Sequence, residues 1–139
     1  MADALASGPR VVLVDDDEAN RAILREVLES EGIRVVAEAE SGAEGAEVVA
    51  RQTQPCVVLM DLRMPDVGGF EATRMIRRDA PASQVVILTA YDEPLPRRSA
   101  IEVGAYAYLV KGCAPQLMRD VILKAWEMAA AQLRQTSNG

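Results

Sequence analysis

Five short runs rich in β-branched residues alternate with five longer stretches of helical periodicity along this 139-residue chain. Several of the runs are apolar throughout, as expected for strands buried on both faces of a parallel sheet. Strands that alternate with helices form right-handed βαβ units, so the pattern predicts an α/β domain with a doubly wound, five-stranded parallel sheet. The strands are predicted at Arg10–Val14, Arg34–Ala39, Cys56–Met60, Gln84–Leu88 and Tyr106–Val110.

Sequence patterns typical of α-helices lie between these runs. Ile23 and Leu28 belong to the apolar face of the first helix, and Gly32 is placed to end it. Ser41 and Glu44 form a capping-box signature at the start of the second helix. The remaining helices are predicted at 70–78, at 95–103 and from about Pro115 onward.

A single domain of residues 10–131 accounts for this pattern, and we expect flexible tails at 1–9 and 132–139. No apolar run approaches the roughly 18 residues that cross a bilayer. The N-terminal residues also lack the basic segment and apolar stretch of a signal peptide. We therefore expect a cytoplasmic protein with no membrane partner.

The composition excludes several kinds of chemistry. The chain has no histidine, which removes Ser-His-Asp and Cys-His catalysis and disfavours transition-metal sites. Cys56 and Cys113 have no metal-ligand spacing, and we expect Cys56 to be a buried, inert thiol. A net charge of −6 argues against direct nucleic-acid binding by this chain. Carboxylate, hydroxyl and lysine groups remain, and they suit a hard cation such as Mg²⁺.

Polar side chains follow four of the five predicted strands. The carboxyl ends of parallel strands meet at one edge of a doubly wound sheet, where the functional cleft lies. Clustered carboxylates repel one another there unless a cation lies between them. An aspartate can attack a phosphoryl group, while a lysine and a hydroxyl stabilise its oxygens. The residues are Asp15, Asp16 and Asp17 after the first strand, Asp61 after the third, Thr89 after the fourth and Lys111 after the fifth.

Four stretches, VLVDDDE, VVLMDLRMPDVGGFEATR, VVILTAYDE and GAYAYLVKG, together resemble the receiver domain of bacterial two-component response regulators. The resemblance covers about Val11 to Ala130. It implies a flavodoxin-like strand order of 2-1-3-4-5. It also implies a partner, either a sensor histidine kinase or a phosphotransfer protein, that donates the phosphoryl group.

The resemblance implies the roles of the acidic residues. Asp61 corresponds to the phosphoacceptor of the family. Asp15 and Asp16 correspond to the acidic pair that holds Mg²⁺ together with Asp61, and the backbone carbonyl of Arg63 corresponds to a further ligand. Asp17 falls outside this site.

Further positions correspond to the family's switch. Thr89 matches the switch hydroxyl, Tyr108 the switch aromatic, and Lys111 the lysine that pairs with the phosphoryl group. The family usually has a proline joined by a cis peptide after this lysine, whereas this chain has Gly112. A cis bond without proline costs roughly 3–4 kcal/mol, so we expect this peptide to be trans or strained.

The loop after Asp61 also matches the family. Pro65 has a fixed φ, and Gly68 and Gly69 permit a positive φ close to a bound anion. Further along the chain, we infer that the surface of the fourth helix and fifth strand around Arg97 and Arg98 carries the signal.

We therefore expect a phosphorylation-controlled switch, not an enzyme beyond its own phosphorylation and dephosphorylation. Two alternatives stay open: a phosphate-independent pseudo-receiver that only binds partners, and an aspartyl-phosphate phosphohydrolase. The second is disfavoured because such enzymes place another aspartate where this chain has Arg63. The stretch YLVKGCAP resembles receivers that precede LuxR-type output domains, which suggests transcription regulation. The last helix, with Trp126 and an Ala-rich end, has more apolar positions than one core-facing stripe requires. Either Trp126 packs on the sheet, or this helix forms a homodimer.

Overall fold

The computed structural model of the chain describes residues 8–64, 67–90 and 94–138. Within them, five parallel strands form one sheet in the order β2-β1-β3-β4-β5, which confirms the predicted fold. The strands are β1 (Arg10–Val14), β2 (Arg34–Ala39), β3 (Val57–Met60), β4 (Gln84–Thr89) and β5 (Ala107–Val110). The helices are α1 (Glu18–Ser30), α2 (Gly42–Arg51), α3 (Gly69–Asp79), α4 (Pro94–Glu102) and α5 (Pro115–Asn138).

Most element ends agree with the sequence-based prediction to within one residue. Helix α4 begins at Pro94, one residue before the predicted start, because a proline is tolerated in the first turn, where its missing N–H has no intrahelical partner. Residues 91–93, which lead into α4, lie outside the described part of the chain. The predicted N-terminal tail also falls largely outside it, at residues 1–7.

The C-terminal boundary differs from the prediction. Helix α5 continues to Asn138, so residues 132–138 are helical where a tail was expected. The sequence here consists largely of good helix formers. In addition, the Gln84 side-chain amide donates a hydrogen bond of 3.1 Å to Oε1 of Gln132, which ties this part of α5 to the start of β4.

The apolar core lies on both faces of the sheet. Helices α1 and α5 cover one face, and Leu28 and Ile122 are buried there. Helices α2, α3 and α4 cover the other, with Val49, Ile76 and Ala100 in contact with the sheet residues. Strands β3 and β4 are buried along their whole length, as their continuous apolar sequence predicted.

Helix α5 turns its apolar residues toward this core. Trp126 is only 7% exposed and packs with Ala125 and Ala129 in the cluster beneath α5. Of the two expectations for this helix, packing of Trp126 on the sheet is therefore confirmed, and a homodimer stays a prediction. Small alanine side chains let the helix lie close to the sheet, so its buried face is wider than a single stripe.

Local signals at the ends of α1 and α2 are confirmed. Gly32 adopts a φ of +78°, and the N–H of Ile33 bonds the Leu28 carbonyl at 2.9 Å, which closes α1. The Ser41 hydroxyl accepts from the Glu44 N–H at 3.1 Å at the start of α2. In contrast, Ile23 is 59% exposed and does not join the core.

Both cysteines are free thiols. Cys56 is buried and Cys113 is half-buried, and burial raises the pKa of both thiols. Cys56 thus fits the expected inert core thiol. In the part of the chain that the structure describes, every helix is too short or too polar to cross a bilayer.

Candidate functional site

The carboxyl edge of the sheet holds the polar residues that the sequence singled out. Backbone hydrogen bonds continue the sheet one residue beyond its strands. They hold in place the backbone positions from which the side chains of the site extend. These bonds run from the Asp15 N–H to the Ala39 carbonyl at 3.1 Å, from the Asp61 N–H to the Val14 carbonyl at 3.0 Å, and from the Lys111 N–H to the Thr89 carbonyl at 2.7 Å.

Three carboxylates converge at this edge. Oxygen atoms of Asp15, Asp16 and Asp61 lie within 4.8 Å of one another. Asp15 is 3% exposed and Asp61 is 9% exposed, whereas Asp16 is exposed to solvent. Asp17 lies outside the cluster, because its carboxylate caps α1 by accepting from the N–H of Ala19 at 2.9 Å.

A single ammonium group bridges the two buried carboxylates. Nζ of Lys111 lies 3.1 Å from Oδ2 of Asp15 and 3.6 Å from Oδ1 of Asp61. The lysine side chain is 28% exposed, so it approaches from the rim of the cleft. The charge of this ammonium group alone does not neutralise three carboxylates.

The pKa values of the site follow from burial and these charges. Burial raises the pKa of the Asp61 carboxyl above its ordinary value, and the ammonium of Lys111 opposes that rise. The neighbouring carboxylates of Asp15 and Asp16 raise it further. Burial acts to lower the pKa of Lys111, but its hydrogen bond to Asp15 and the charge of Asp61 outweigh burial and raise that pKa. Lys111 therefore stays cationic at neutral pH.

The oxygen donors of this cluster fit Mg²⁺. That ion prefers one or two carboxylates and keeps several waters, and the exposed Asp16 leaves the cluster open to solvent on one side. Arg63 lies two residues after Asp61 with an exposed side chain, and the role of its carbonyl as a ligand stays a prediction.

Thr89 and Tyr108 lie on the same face of the sheet. Thr89 pairs with Val110 and Ile87 pairs with Tyr108, so the hydroxyl and the phenol ring are diagonal neighbours on adjacent strands. Thr89 is fully buried. The guanidinium carbon of Arg97 in α4 lies 4.7 Å from the centre of the Tyr108 ring, a cation–π distance that links α4 to β5.

The backbone after Lys111 has an unusual conformation. The peptide bonds in the described segments are all trans, and Gly112 has a φ of +91°. No heavy atom lies within 4 Å of the position that a Cβ at Gly112 would occupy. The glycine is therefore required by its backbone angle and not by lack of space.

Gly69 is required for a different reason than the one predicted. Gly68 has a φ of −73°, and neither Gly68 nor Gly69 has a positive φ, so the expected left-handed conformation is wrong. A Cβ at Gly69 would instead lie 2.3 Å from the Asp61 carbonyl oxygen. The start of α3 packs directly on the backbone of Asp61. Pro65 lies outside the described residues.

One residue of the site was missed in the sequence. Nη1 of Arg21 donates to the Asp15 carbonyl at 2.6 Å, and its side chain is only 12% exposed. Its position in the sequence could have revealed it. Arg21 lies three residues before Leu24 and seven before Leu28, so it falls on the same side of α1 as these two residues. A cation on a core-facing stripe indicates a buried partner.

Comparisons with known proteins find relatives of this chain. A family model described as the response regulator receiver domain matches residues 11–123. Response regulator UvrY of Escherichia coli strain K12 is 47% identical over 108 residues, which cover 76% of this chain and 49% of that protein. Response regulator GacA of Pseudomonas protegens is 45% identical over 115 residues, or 81% of this chain and 53% of that protein.

A solved structure shows the same fold. The REC domain of AraT, a response regulator from Geobacillus stearothermophilus, has a TM-score of 0.74 and 32% identity, and the match covers 92% of this chain and 97% of that domain. The chain spans about half the length of the curated relatives that it matches.

Proposed function

The chain belongs to the response regulator receiver domain family of two-component systems, and we propose that it is a phosphorylation-controlled switch with Asp61 as its phosphoacceptor. One observation carries this proposal: Lys111 bridges Asp15 and Asp61 beside the exposed Asp16. A buried carboxylate beside one lysine and two further carboxylates suits phosphoryl transfer, in which charge stabilisation is the main requirement.

The proposed reaction begins with attack by a carboxylate oxygen of Asp61 on the phosphorus of a donor. A P–O bond to Asp61 forms as the bond to the leaving group breaks, which produces an acyl phosphate. Lys111, already 3.6 Å from Oδ1 of Asp61, is positioned to bind a phosphoryl oxygen. The Thr89 hydroxyl donates to another oxygen after a local movement.

Asp15, Asp16 and Asp61, with the Arg63 carbonyl, would hold Mg²⁺. When bound, the ion supplies positive charge to the phosphoryl oxygens. The separation of the three carboxylates by 4.8 Å or less supports this assignment, since a divalent cation relieves their repulsion.

The phosphoryl group comes from another protein in this proposal. Residues 1–139 contain no histidine, so a phosphohistidine donor lies outside this segment. We assign that role to a sensor histidine kinase or a phosphotransfer protein.

The signal leaves through α4 and β5. Movement of Thr89 toward the phosphoryl group opens space on the sheet face that it shares with Tyr108, and inward rotation of Tyr108 would break its contact with Arg97. This is a two-state element that one local charge biases. We propose an output that regulates transcription through a further domain or a protein partner and without direct nucleic-acid binding by this chain.

Intact-mass spectrometry tests the acceptor chemistry without knowledge of the kinase. After incubation with acetyl phosphate, the protein should gain one phosphoryl group in Mg²⁺ and none in excess EDTA. A protein unchanged by both treatments would contradict the proposal and favour a phosphate-independent binding module. Sustained turnover of small phosphate esters would instead favour a phosphohydrolase.

A further inference from the structure

Arg21 contacts the acidic loop between β1 and α1 at two points. Its backbone N–H bonds the Asp17 carbonyl at 3.1 Å, and Nη1 of its guanidinium bonds the Asp15 carbonyl at 2.6 Å. Asp16 is the residue between these two carbonyls. A single residue of α1 thus holds the backbone on both sides of the exposed carboxylate.

The remaining polar groups of Asp15 are also occupied. Its N–H continues the sheet to Ala39, its Oδ1 accepts from the Asp17 N–H at 2.9 Å, and its Oδ2 accepts from Lys111. The Arg21 bond to the carbonyl completes this set and fixes the peptide plane that joins Asp15 to Asp16. Fixing that plane leaves rotation about φ of Asp16 and so restricts the directions in which the Asp16 side chain can leave the loop.

Glu38 of β2 fixes the guanidinium of Arg21. Nε of Arg21 donates to Oε1 of Glu38 at 3.0 Å, while Nη2 of Arg25, one turn further along α1, pairs with Oε2 of the same carboxylate. Two arginines therefore share one carboxylate. Of these two arginines, Arg21 also donates to the backbone of the acidic loop.

We propose that Arg21 is a positioning residue for the metal site, which aims the Asp16 carboxylate by clamping the Asp15 carbonyl. The inference rests on the proposed function, in which Asp16 binds Mg²⁺. Groups that orient a ligand from outside the coordination shell commonly change metal affinity by about tenfold to a hundredfold when they are removed.

The direction in which Mg²⁺ affinity changes when Arg21 is replaced distinguishes a positioning role from an electrostatic one. A guanidinium beside a cation site repels the cation, so removal of its charge alone should tighten Mg²⁺ binding. Loss of the clamp should weaken Mg²⁺ binding instead. Arg25 offers a matched control, because Arg25→Gln removes the same charge from the same carboxylate partner without touching the Asp15 carbonyl.

Isothermal titration calorimetry with MgCl₂ on the unphosphorylated wild type, Arg21→Gln and Arg25→Gln tests the proposal. We expect the Kd of Arg21→Gln to rise about tenfold or more, while Arg25→Gln binds as tightly as wild type or more tightly. The Mg²⁺-induced shift of the Asp16 amide resonance should diminish in Arg21→Gln alone. Wild-type or tighter Mg²⁺ binding by a folded Arg21→Gln would overturn the role of Arg21.

A melting curve in EDTA establishes that each variant is folded. If Arg21→Gln does not fold, Arg21→Lys replaces it, because an ammonium keeps the charge but lacks the planar fork that spans Glu38 and the Asp15 carbonyl. Its Kd should also rise, and an unchanged Kd would overturn the proposal. If the wild type does not bind Mg²⁺, the result would instead contradict the Mg²⁺ site of the proposed function.

Discussion

Replacement of Asp16 by asparagine should stabilise the Mg²⁺-free protein. The three carboxylates lie within 4.8 Å of one another, and two unit charges at that distance repel by about 3.5 kcal/mol at an effective dielectric constant near 20. Because Asp16 is exposed, solvent and salt reduce this repulsion to about 1 kcal/mol. For a chain of 139 residues, that free energy corresponds to an increase in Tm of about 3–4 °C.

The same substitution should remove most of the stabilisation by Mg²⁺. A ligand that binds only the folded protein adds about 2.7 kcal/mol at a concentration of 100 times its Kd, or about 9 °C in Tm for a chain of this size. The wild type should therefore melt below Asp16→Asn in EDTA and above it in saturating Mg²⁺. The order reverses because the Asp16 carboxylate destabilises the folded protein when no cation is bound, whereas it acts as a ligand when Mg²⁺ is present.

Thermal melts by circular dichroism across an MgCl₂ titration measure both effects. Asp17→Asn is the matched control, because it removes one charge from the same exposed loop, and asparagine caps α1 about as well as aspartate. It should keep the Mg²⁺-dependent gain in Tm. A wild-type Tm that does not change with Mg²⁺, or an Asp16→Asn gain equal to that of wild type, would refute the reasoning.

Three further substitutions test other parts of the site. Thr89→Ala should still accept a phosphoryl group but lose the amide NMR shifts of α4 and β5 on addition of a phosphoryl mimic; full wild-type shifts would contradict coupling through Thr89. Gly69→Ala should lower Tm strongly, whereas Gly68→Ala, whose Cβ would lie 3.5 Å from its nearest heavy atom, should change it little; equal Tm values would contradict the close approach to Asp61. Gly112→Ala should lower Tm by about 3–7 °C, since a positive φ costs about 1–2 kcal/mol for alanine; an unchanged Tm would contradict that conformation.

The fold and the position of the site were predictable because both follow from local patterns. Continuous apolar runs at β3 and β4 indicate strands buried on both faces, and a parallel sheet brings the ends of its strands to one edge. The residues after those strands, including Asp15, Asp61 and Lys111, could therefore be placed together before any distance was known.

Other features depend on how each helix packs against the neighbouring loops and strands. The approach of Gly69 to the Asp61 carbonyl is set by how α3 packs on the loop after β3, which no local pattern reports. The bond from Arg21 to the Asp15 carbonyl likewise depends on how α1 lies against β1 and β2. The sequence left the place of Trp126 open between the core and a dimer face, because an alanine-rich helix can approach a sheet more closely than a single apolar stripe indicates.

The identity of the phosphoacceptor is tested most directly by intact-mass spectrometry of the wild type, Asp61→Asn and the control Asp17→Asn after treatment with acetyl phosphate and Mg²⁺. Asparagine at position 61 keeps the size of the side chain but removes the nucleophilic carboxylate. Wild type and Asp17→Asn should each gain one phosphoryl group, and Asp61→Asn should gain none. A phosphoryl adduct on Asp61→Asn at the wild-type extent would contradict the assignment of Asp61 as the acceptor.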